Sequence, residues 1–199
     1  RMKAIANIDS IKQDQVFNTL AKNKTWQIPT LELYQTFANK KYKSEAFQSY
    51  FYMIPQKVKS KWMEQINSTS DEPDQEMIKY TQWSRDMVYQ MHEKRIPFMA
   101  GTDTPIGFLI PGKSLHDELV QLNLSGLSNL ETLKAATYHP AEYFGLEKNL
   151  GRIKVGFEAD LVLLDKNPLE SIKNTQSIRA VVKAGKFMNR AYIDSLQVN

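Results

Sequence analysis

Apolar residues in the first half of the chain are spaced as in amphipathic helices. In residues 9–24 they recur every three or four positions, which predicts a helix. Residues 34–67 repeat this spacing with mostly aromatic side chains and are interrupted at Pro55, so they predict a broken helical region that forms core or a lid over a pocket. Residues 75–94 predict a further long helix.

Two short apolar runs, residues 26–31 and 96–100, have the β-branched and aromatic content of strands. A helix is predicted after the second run, over residues 114–122. Another follows Ser128, which has Glu131 three places further on and so matches the capping-box pattern. This alternation of strands and helices predicts parallel βα units.

The pattern changes beyond residue 150. Residues 151–156 predict a ribbon flanked by turns, residues 159–165 a buried strand, and residues 178–184 the last strand. All eight glycines lie at or beyond position 101, so tight turns are expected only in the second half. We therefore predict an α/β chain with two parts: βα units over residues 1–149 and a small β element over residues 150–199.

Composition excludes several classes of partner. With 199 residues, 42% apolar side chains and a formal charge of +4, the chain can bury a core and is nearly neutral. The lysine-rich residues 39–43 are too few to follow a phosphate backbone and are interpreted as a solvated helix face, so no nucleic-acid partner is expected. No run approaches the roughly 18 apolar residues that a membrane span needs.

The chain has no cysteine, which excludes disulfides, thiolate nucleophiles and zinc–thiolate sites. This absence does not distinguish cytoplasm from periplasm. The first six residues lack the features of a signal peptide. Because the sequence opens on Arg1, we expect the natural start to lie elsewhere.

Asp103 is the main candidate for chemistry. It follows the apolar run and lies in a Gly-Thr-Asp-Thr-Pro turn, where the end of a buried strand can present a carboxylate to a metal, a proton or a substrate. From the residues alone, a plain turn aspartate is an equally good interpretation. The three histidines, His92, His116 and His139, show no spacing that would make a metal site by itself.

Several motifs occur in an order that resembles one family. They are AGTDTP at residues 100–105, PGKSLHDEL at 111–119, GLSNLETLKAAT at 126–137, PA at 140–141 and LGRIKVGFEADLVLLD at 150–165. Together they resemble the metal-dependent amidohydrolases, in particular the imidazolonepropionase-like and prolidase-like branch. The resemblance is strong from about residue 90 to 186, weaker over residues 9–31, and absent from the aromatic segment between them.

The resemblance implies the C-terminal portion of a (β/α)8 TIM-type barrel with an appended small β-sandwich element. Residues 26–31 and 96–100 would then be the seventh and eighth barrel strands. It also implies that Asp103 binds a divalent metal, zinc being the expected ion, and carries a proton during hydrolysis. The family's His-x-His pair and its other metal ligands have no match here, so this chain alone is expected to bind no catalytic metal and to be inactive.

Further expectations follow for substrate and partners. The intact enzyme is expected to act on an amide or other carbon–nitrogen bond of a small or short peptide-like substrate, either by peptide cleavage or by cyclic-amide or deaminase-type hydrolysis. His116, at the start of a helix near the strand ends, is a candidate substrate contact, and residues 108–111 are candidates for the pocket wall. The missing N-terminal half of the barrel is the expected partner, and exposed strand edges favour a homo-oligomer. The alternative is a non-catalytic βα/β binding or complementing subunit.

Overall fold

The computed structural model describes residues 2–196. Ten α-helices and three β-strands are present in this range. They are α1 Met2–Ala6, α2 Ser10–Lys22, α3 Leu31–Ala38, α4 Glu45–Gln48, α5 Gln56–Ser68, α6 Gln75–Glu93, α7 Lys113–Leu124, α8 Asn129–Ala135, α9 Tyr138–Tyr143, β1 Leu161–Leu164, β2 Ile178–Lys183, β3 Lys186–Asn189 and α10 Arg190–Ser195. None of these helices combines the length and the apolar character that crossing a membrane requires.

The two short apolar runs lie side by side and point the same way. We call residues 25–29 the first segment and residues 96–100 the second segment. The amide of Gln27 donates to the carbonyl of Pro97, and the amide of Met99 donates to the carbonyl of Gln27, both at 2.9 Å. This exchange is a parallel bridge. The predicted parallel arrangement is therefore confirmed, although the pairing is too short to be a regular sheet.

The two segments approach each other closely at Gly101. A Cβ added there would lie 2.5 Å from Cγ2 of Ile28, so any other residue at this position would have to displace the Ile28 side chain. Over residues 2–196 the parallel pairing is limited to this pair of segments, and no closed barrel is formed. The (β/α)8 barrel therefore stays a prediction for the protein that contains this chain.

Two clusters of buried side chains hold the helices together. One surrounds Phe98 of the second segment and brings α6, α7 and α8 together; its members are Leu31, Val88, Phe98, Leu122, Leu127 and Ala135. The other fills the aromatic region; its members are Tyr42, Phe51, Ile54, Trp62, Ile66, Phe108 and Ile110. The rings of Tyr42 and Phe108 stack with centroids 3.9 Å apart. The aromatic region is thus core, and Phe108 belongs to it instead of lining an open pocket.

The C-terminal part is a three-stranded antiparallel sheet in the order β1-β2-β3. Its first strand was expected to be buried, and this is wrong, because Val162 and Leu163 are 57% and 52% exposed. The ribbon predicted over residues 151–156 is also wrong. Ile153 and Val155 are 89% and 99% exposed, and apolar residues form a strand only where a neighbouring strand completes their hydrogen bonds.

The sequence pattern missed β3. Ala184 and Gly185, with φ of 48° and 77°, form a tight turn that returns the chain along β2, so residue 184 does not end the sheet. Two positive φ angles in a two-residue loop are typical of a type I′ hairpin, for which Gly185 was the available signal. The division at residue 149 stays a prediction.

The capping box at the start of α8 is confirmed. The amide of Glu131 donates to Oγ of Ser128 at 3.2 Å, and the amide of Ser128 donates to the Glu131 carboxylate at 2.8 Å. Each contact satisfies a helix-end amide that would otherwise lack a partner.

We expect Ser128→Ala to lower the free energy of unfolding by about 1 kcal/mol, because this is the usual cost of losing an N-cap side chain. Urea denaturation followed by circular dichroism would measure the change. Ser60→Ala, on the exposed side of α5, is the matched control and should change stability very little. Equal losses in both variants would contradict the capping role.

Candidate functional site

Asp103 lies just beyond the second segment and is exposed. Its backbone φ is 63°, in the left-handed region that aspartate tolerates better than most residues. Its carbonyl accepts a hydrogen bond from the amide of Ile106 at 3.0 Å, which closes a tight turn. Within residues 2–196 the Asp103 carboxylate has neither a hydrogen bond nor an ion pair, so both of its oxygens are available to a ligand.

A chain of hydroxyl groups holds the residues on either side of Asp103. Oγ1 of Thr102 lies 2.7 Å from Oγ1 of Thr104, which in turn lies 2.8 Å from Oγ of Ser114. The amide of Thr104 also donates to Oγ1 of Thr102 at 3.3 Å. Ser114 is in the first turn of α7 and only 3% exposed. Both neighbours of Asp103 are therefore tied to a buried position on α7, as expected for threonines that brace a loop.

The first segment is followed by a strained residue. Thr30 has a φ of 47°, which is rare for a β-branched residue, and its side chain does not cap the helix α3 that follows. A residue of α7 caps α3 instead. The Glu118 carboxylate accepts hydrogen bonds from the amides of Leu31 at 3.1 Å and Glu32 at 2.7 Å. Glu118 therefore replaces the missing cap from another helix.

Glu118 lies beside a second buried carboxylate. Glu32 is 1% exposed and accepts hydrogen bonds from Nζ of Lys41 at 2.7 and 2.9 Å, from Oγ1 of Thr36 at 3.0 Å and from Nε2 of Gln121 at 3.1 Å. The charge of Glu32 is thus balanced by Lys41, as a buried ion needs.

Burial raises the pKa of Glu118 to about 8. The backbone hydrogen bonds from Glu32 and Leu31 lower this pKa in part, and the charge of Glu32 raises it further. Glu118 therefore binds its proton more tightly than an exposed glutamate does.

Sequence reasoning missed both buried glutamates. The signal that was available is helical spacing: on α7, Glu118 is followed by Leu119 and Leu122 on the buried side, so a glutamate occupies a position where an apolar residue is usual. A charge at such a position is stable only with buried partners, which the sequence does not identify.

His116 points toward the C-terminal part of the chain. Its Nδ1 lies 2.9 Å from Oγ1 of Thr175, whose hydroxyl donates to the carbonyl of Ile172. Because the Thr175 hydroxyl proton is already used in that bond, Nδ1 of His116 carries a hydrogen and donates a hydrogen bond to Oγ1 of Thr175. Burial lowers the pKa of His116, and the neighbouring Lys113 charge lowers it further. This contact joins α7 to the short 3-10 helix Ile172–Gln176 that precedes β2. The substrate role of His116 stays a prediction.

The other two histidines lie near the starts of the segments. Nδ1 of His139 is 2.8 Å from the carbonyl of Phe98, which supports the structural role expected for it. His92 was expected to be a solvated surface residue. It is instead half-buried, with Nε2 3.7 Å from a carboxylate oxygen of Glu131. Glu131 belongs to α8, and the sequence did not show this contact between the two helices.

Asp103 by itself does not complete a metal centre. A carboxylate is a suitable donor for a divalent cation, but a catalytic zinc site usually has three protein ligands. In the part of the chain that the structure describes, no group of three His, Cys, Asp or Glu side chains is close enough to hold an ion. Residues 2–196 thus supply one donor and do not fit a whole site, so we assign no reaction step to a metal.

The sequence profile of the amidohydrolase family matches residues 65–188, which is more than half of the chain. This chain therefore belongs to the amidohydrolase family. The match includes Asp103, Ser114 and Glu118 and extends into the C-terminal sheet.

Curated relatives share part of this region. Ochratoxinase of Aspergillus niger is 36% identical over 87 residues, which is 43% of this chain and 17% of that protein. Imidazolonepropionase of Rubrobacter xylanophilus is 41% identical over 83 residues, which is 38% of this chain and 20% of that protein. The chain thus matches only about a fifth of the length of these relatives or less.

A solved structure of a Xaa-Pro dipeptidase with bound methionine in its active site is similar to most of this chain. The TM-score is 0.61 at 22% identity, and the match covers 88% of this chain and 37% of that one. At this identity the similarity shows the fold alone.

Proposed function

We propose that the protein containing this chain is a metal-dependent hydrolase of amide or other carbon–nitrogen bonds, and that Asp103 is its proton carrier and one of its metal ligands. Membership of the amidohydrolase family supports the reaction class. The observation that supports the residue is its geometry: Asp103 is exposed at the end of a parallel segment, without a partner in residues 2–196, and its neighbours are fixed to a buried helix.

The proposed step for Asp103 is proton transfer. A water molecule attacks the carbonyl carbon. The new carbon–oxygen bond forms as Asp103 accepts a proton from that water and the π electron pair of the carbonyl moves onto its oxygen. When that pair re-forms the carbon–oxygen double bond, the carbon–nitrogen bond breaks and Asp103 returns the proton to the departing nitrogen, so Asp103 ends the cycle as it began. One carboxylate can do both because a general base that has taken a proton is the general acid of the next step.

The remaining metal ligands would come from outside residues 2–196. We propose that they lie elsewhere in the same polypeptide or in a partner chain that supplies the other part of a (β/α)8 barrel, with zinc as the ion. The chain's match to only 37% of the length of the dipeptidase structure supports this view, because most of that protein has no counterpart here.

The proposed substrate is a small molecule or a short peptide-like compound. The reaction is either peptide cleavage or a cyclic-amide or deaminase-type hydrolysis. Curated relatives named as an imidazolonepropionase and as an N-acetylglucosamine-6-phosphate deacetylase support a carbon–nitrogen bond as the target. A panel of N-acyl amino acids, Xaa-Pro dipeptides and cyclic amides, incubated with the zinc-supplemented protein, would test the class. We expect release of an amine or ring opening with at least one member. Turnover of esters or phosphate esters alone would contradict the proposal.

The second candidate is a non-catalytic βα/β subunit that complements a separate chain. It is favoured by the exposed apolar residues of β1, since an uncovered sheet can bind another surface. Zinc analysis of the purified 199-residue chain, together with the panel, tests where the site is completed. Stoichiometric zinc with turnover would show a self-contained enzyme and contradict ligands outside residues 2–196, whereas activity only after a second chain is added would support complementation.

A further inference from the structure

Helix α7 contacts the ends of both parallel segments. We call Thr30–Leu31–Glu32 the first junction and residues 102–104 the second junction. Because the segments run in parallel, the two junctions lie at the same end of the pair. Ser114 binds the second junction and Glu118 binds the first.

The two contacts come from one face of α7. Residues four apart on a helix lie one above the other, separated by about 6 Å along the axis. Both side chains are buried, Ser114 at 3% and Glu118 at 0% exposure. Water therefore cannot replace either contact at low cost, and a shift of α7 would disturb both junctions at once.

Each junction contains a residue in the left-handed backbone region. Thr30 has a φ of 47° and Asp103 a φ of 63°. Such conformations persist when surrounding contacts hold them. Here Ser114 fixes Thr104, next to Asp103, and Glu118 fixes the two residues after Thr30. The same helix therefore stabilises both strained turns.

We propose that Ser114 and Glu118 are positioning residues that act as a pair and set the place of Asp103 relative to the first junction. This inference rests on the proposed role of Asp103. Neither side chain contacts the reacting atoms in this account. Glu118 acts on Asp103 only through α7 and the hydroxyl chain, so loss of its contact at the first junction should loosen the second junction as well.

Amide hydrogen exchange tests this coupling without any substrate. Glu118→Gln keeps the side-chain length but replaces one of the two oxygens that accept from the first junction by an NH2 group, which can only donate. We expect exchange at Leu31 and Glu32 to accelerate, and exchange at Thr104 and Ile106 of the distant loop to accelerate by about five- to tenfold. A local cap role alone would change only Leu31 and Glu32, and that result would overturn the proposal.

Two matched controls separate coupling from general loosening. Ser125 is as buried as Ser114 and caps the C-terminal end of α7, where its hydroxyl donates to the carbonyl of Gln121 in that helix. Glu131 makes an equivalent cap contact at α8. Ser125→Ala and Glu131→Gln should leave exchange at Thr104 and Ile106 within about twofold of the parent protein. Faster exchange at these amides in the controls would also overturn the proposal.

Kinetics on a substrate identified by the panel give a second readout. Both Ser114→Ala and Glu118→Gln should lower kcat by about tenfold and leave KM within about twofold, since a displaced proton carrier impairs the chemical step. Unchanged kcat in both variants, with an inactive Asp103→Asn, would overturn the positioning role and leave the proposed function standing. Full activity of Asp103→Asn would overturn the proposed function, whereas the exchange result does not depend on it.

Discussion

Replacing Asp103 by asparagine is expected to reduce kcat/KM for amide hydrolysis by about a thousandfold or more, because asparagine cannot take and return a proton. The substitution is nearly isosteric, and asparagine also tolerates the left-handed backbone that this position requires. The fold should therefore be retained. Steady-state kinetics on a panel substrate, with circular dichroism to check folding, would measure the effect.

Asp165→Asn is the matched control for this experiment. Asp165 also follows the end of an apolar strand, but its carboxylate pairs with Arg179 on the surface of the C-terminal sheet. We expect this variant to keep its turnover within about twofold, because surface ion pairs contribute little. An Asp103→Asn variant as active as the control would mean that Asp103 is only a turn residue.

The second large effect concerns the dependence of stability on pH. Burial raises the pKa of Glu118 to about 8 in the folded chain, against 4.5 in an ordinary glutamate. Between these values the unfolded chain releases this proton and the folded chain retains it, so the free energy of unfolding falls as pH rises. Above about pH 8 both states have lost the proton and the decline ends. Since each pKa unit corresponds to about 1.4 kcal/mol, the whole decline is on the order of a few kcal/mol.

Other groups change stability in the opposite direction. Burial lowers the pKa of His116, so its contribution to stability grows as pH rises through the usual range of histidine. Contacts with Ser128 lower the pKa of Glu131, so the contribution of Glu131 to stability is lost as the pH falls below about 4.5. The difference between the parent chain and Glu118→Gln isolates the one group, because glutamine does not titrate. Guanidinium denaturation from pH 5 to 9 should show a steeper decline in the parent chain, and parallel curves would contradict a buried, proton-retaining Glu118.

Local sequence patterns predicted the long helices α2, α6 and α7 and the capping box of α8. Asp9 caps α2 and Asp74 caps α6, each accepting hydrogen bonds from first-turn amides. These features depend only on neighbours within a turn or two of helix. The parallel direction of the two segments was also predictable, since a strand followed by a helix returns to a parallel strand.

Features that depend on distant partners were not predictable. Glu118 meets the amides of Leu31 and Glu32 across more than eighty positions of sequence, and no local pattern indicates that contact. The exposure of β1 was missed. An apolar run indicates that a strand favours burial, but it does not identify the element that would cover the strand. The position of Asp103 was predictable from its turn, whereas the hydroxyl chain to Ser114 needed the fold.

Crystals of the complete protein soaked with zinc and measured at the zinc absorption edge would test the central claim most directly. The account predicts an anomalous peak at the shared end of the two segments, with a carboxylate oxygen of Asp103 about 2.0–2.2 Å from the ion. Its other ligands would come from outside residues 2–196. A zinc ion bound elsewhere, with Asp103 turned to solvent, would contradict the account.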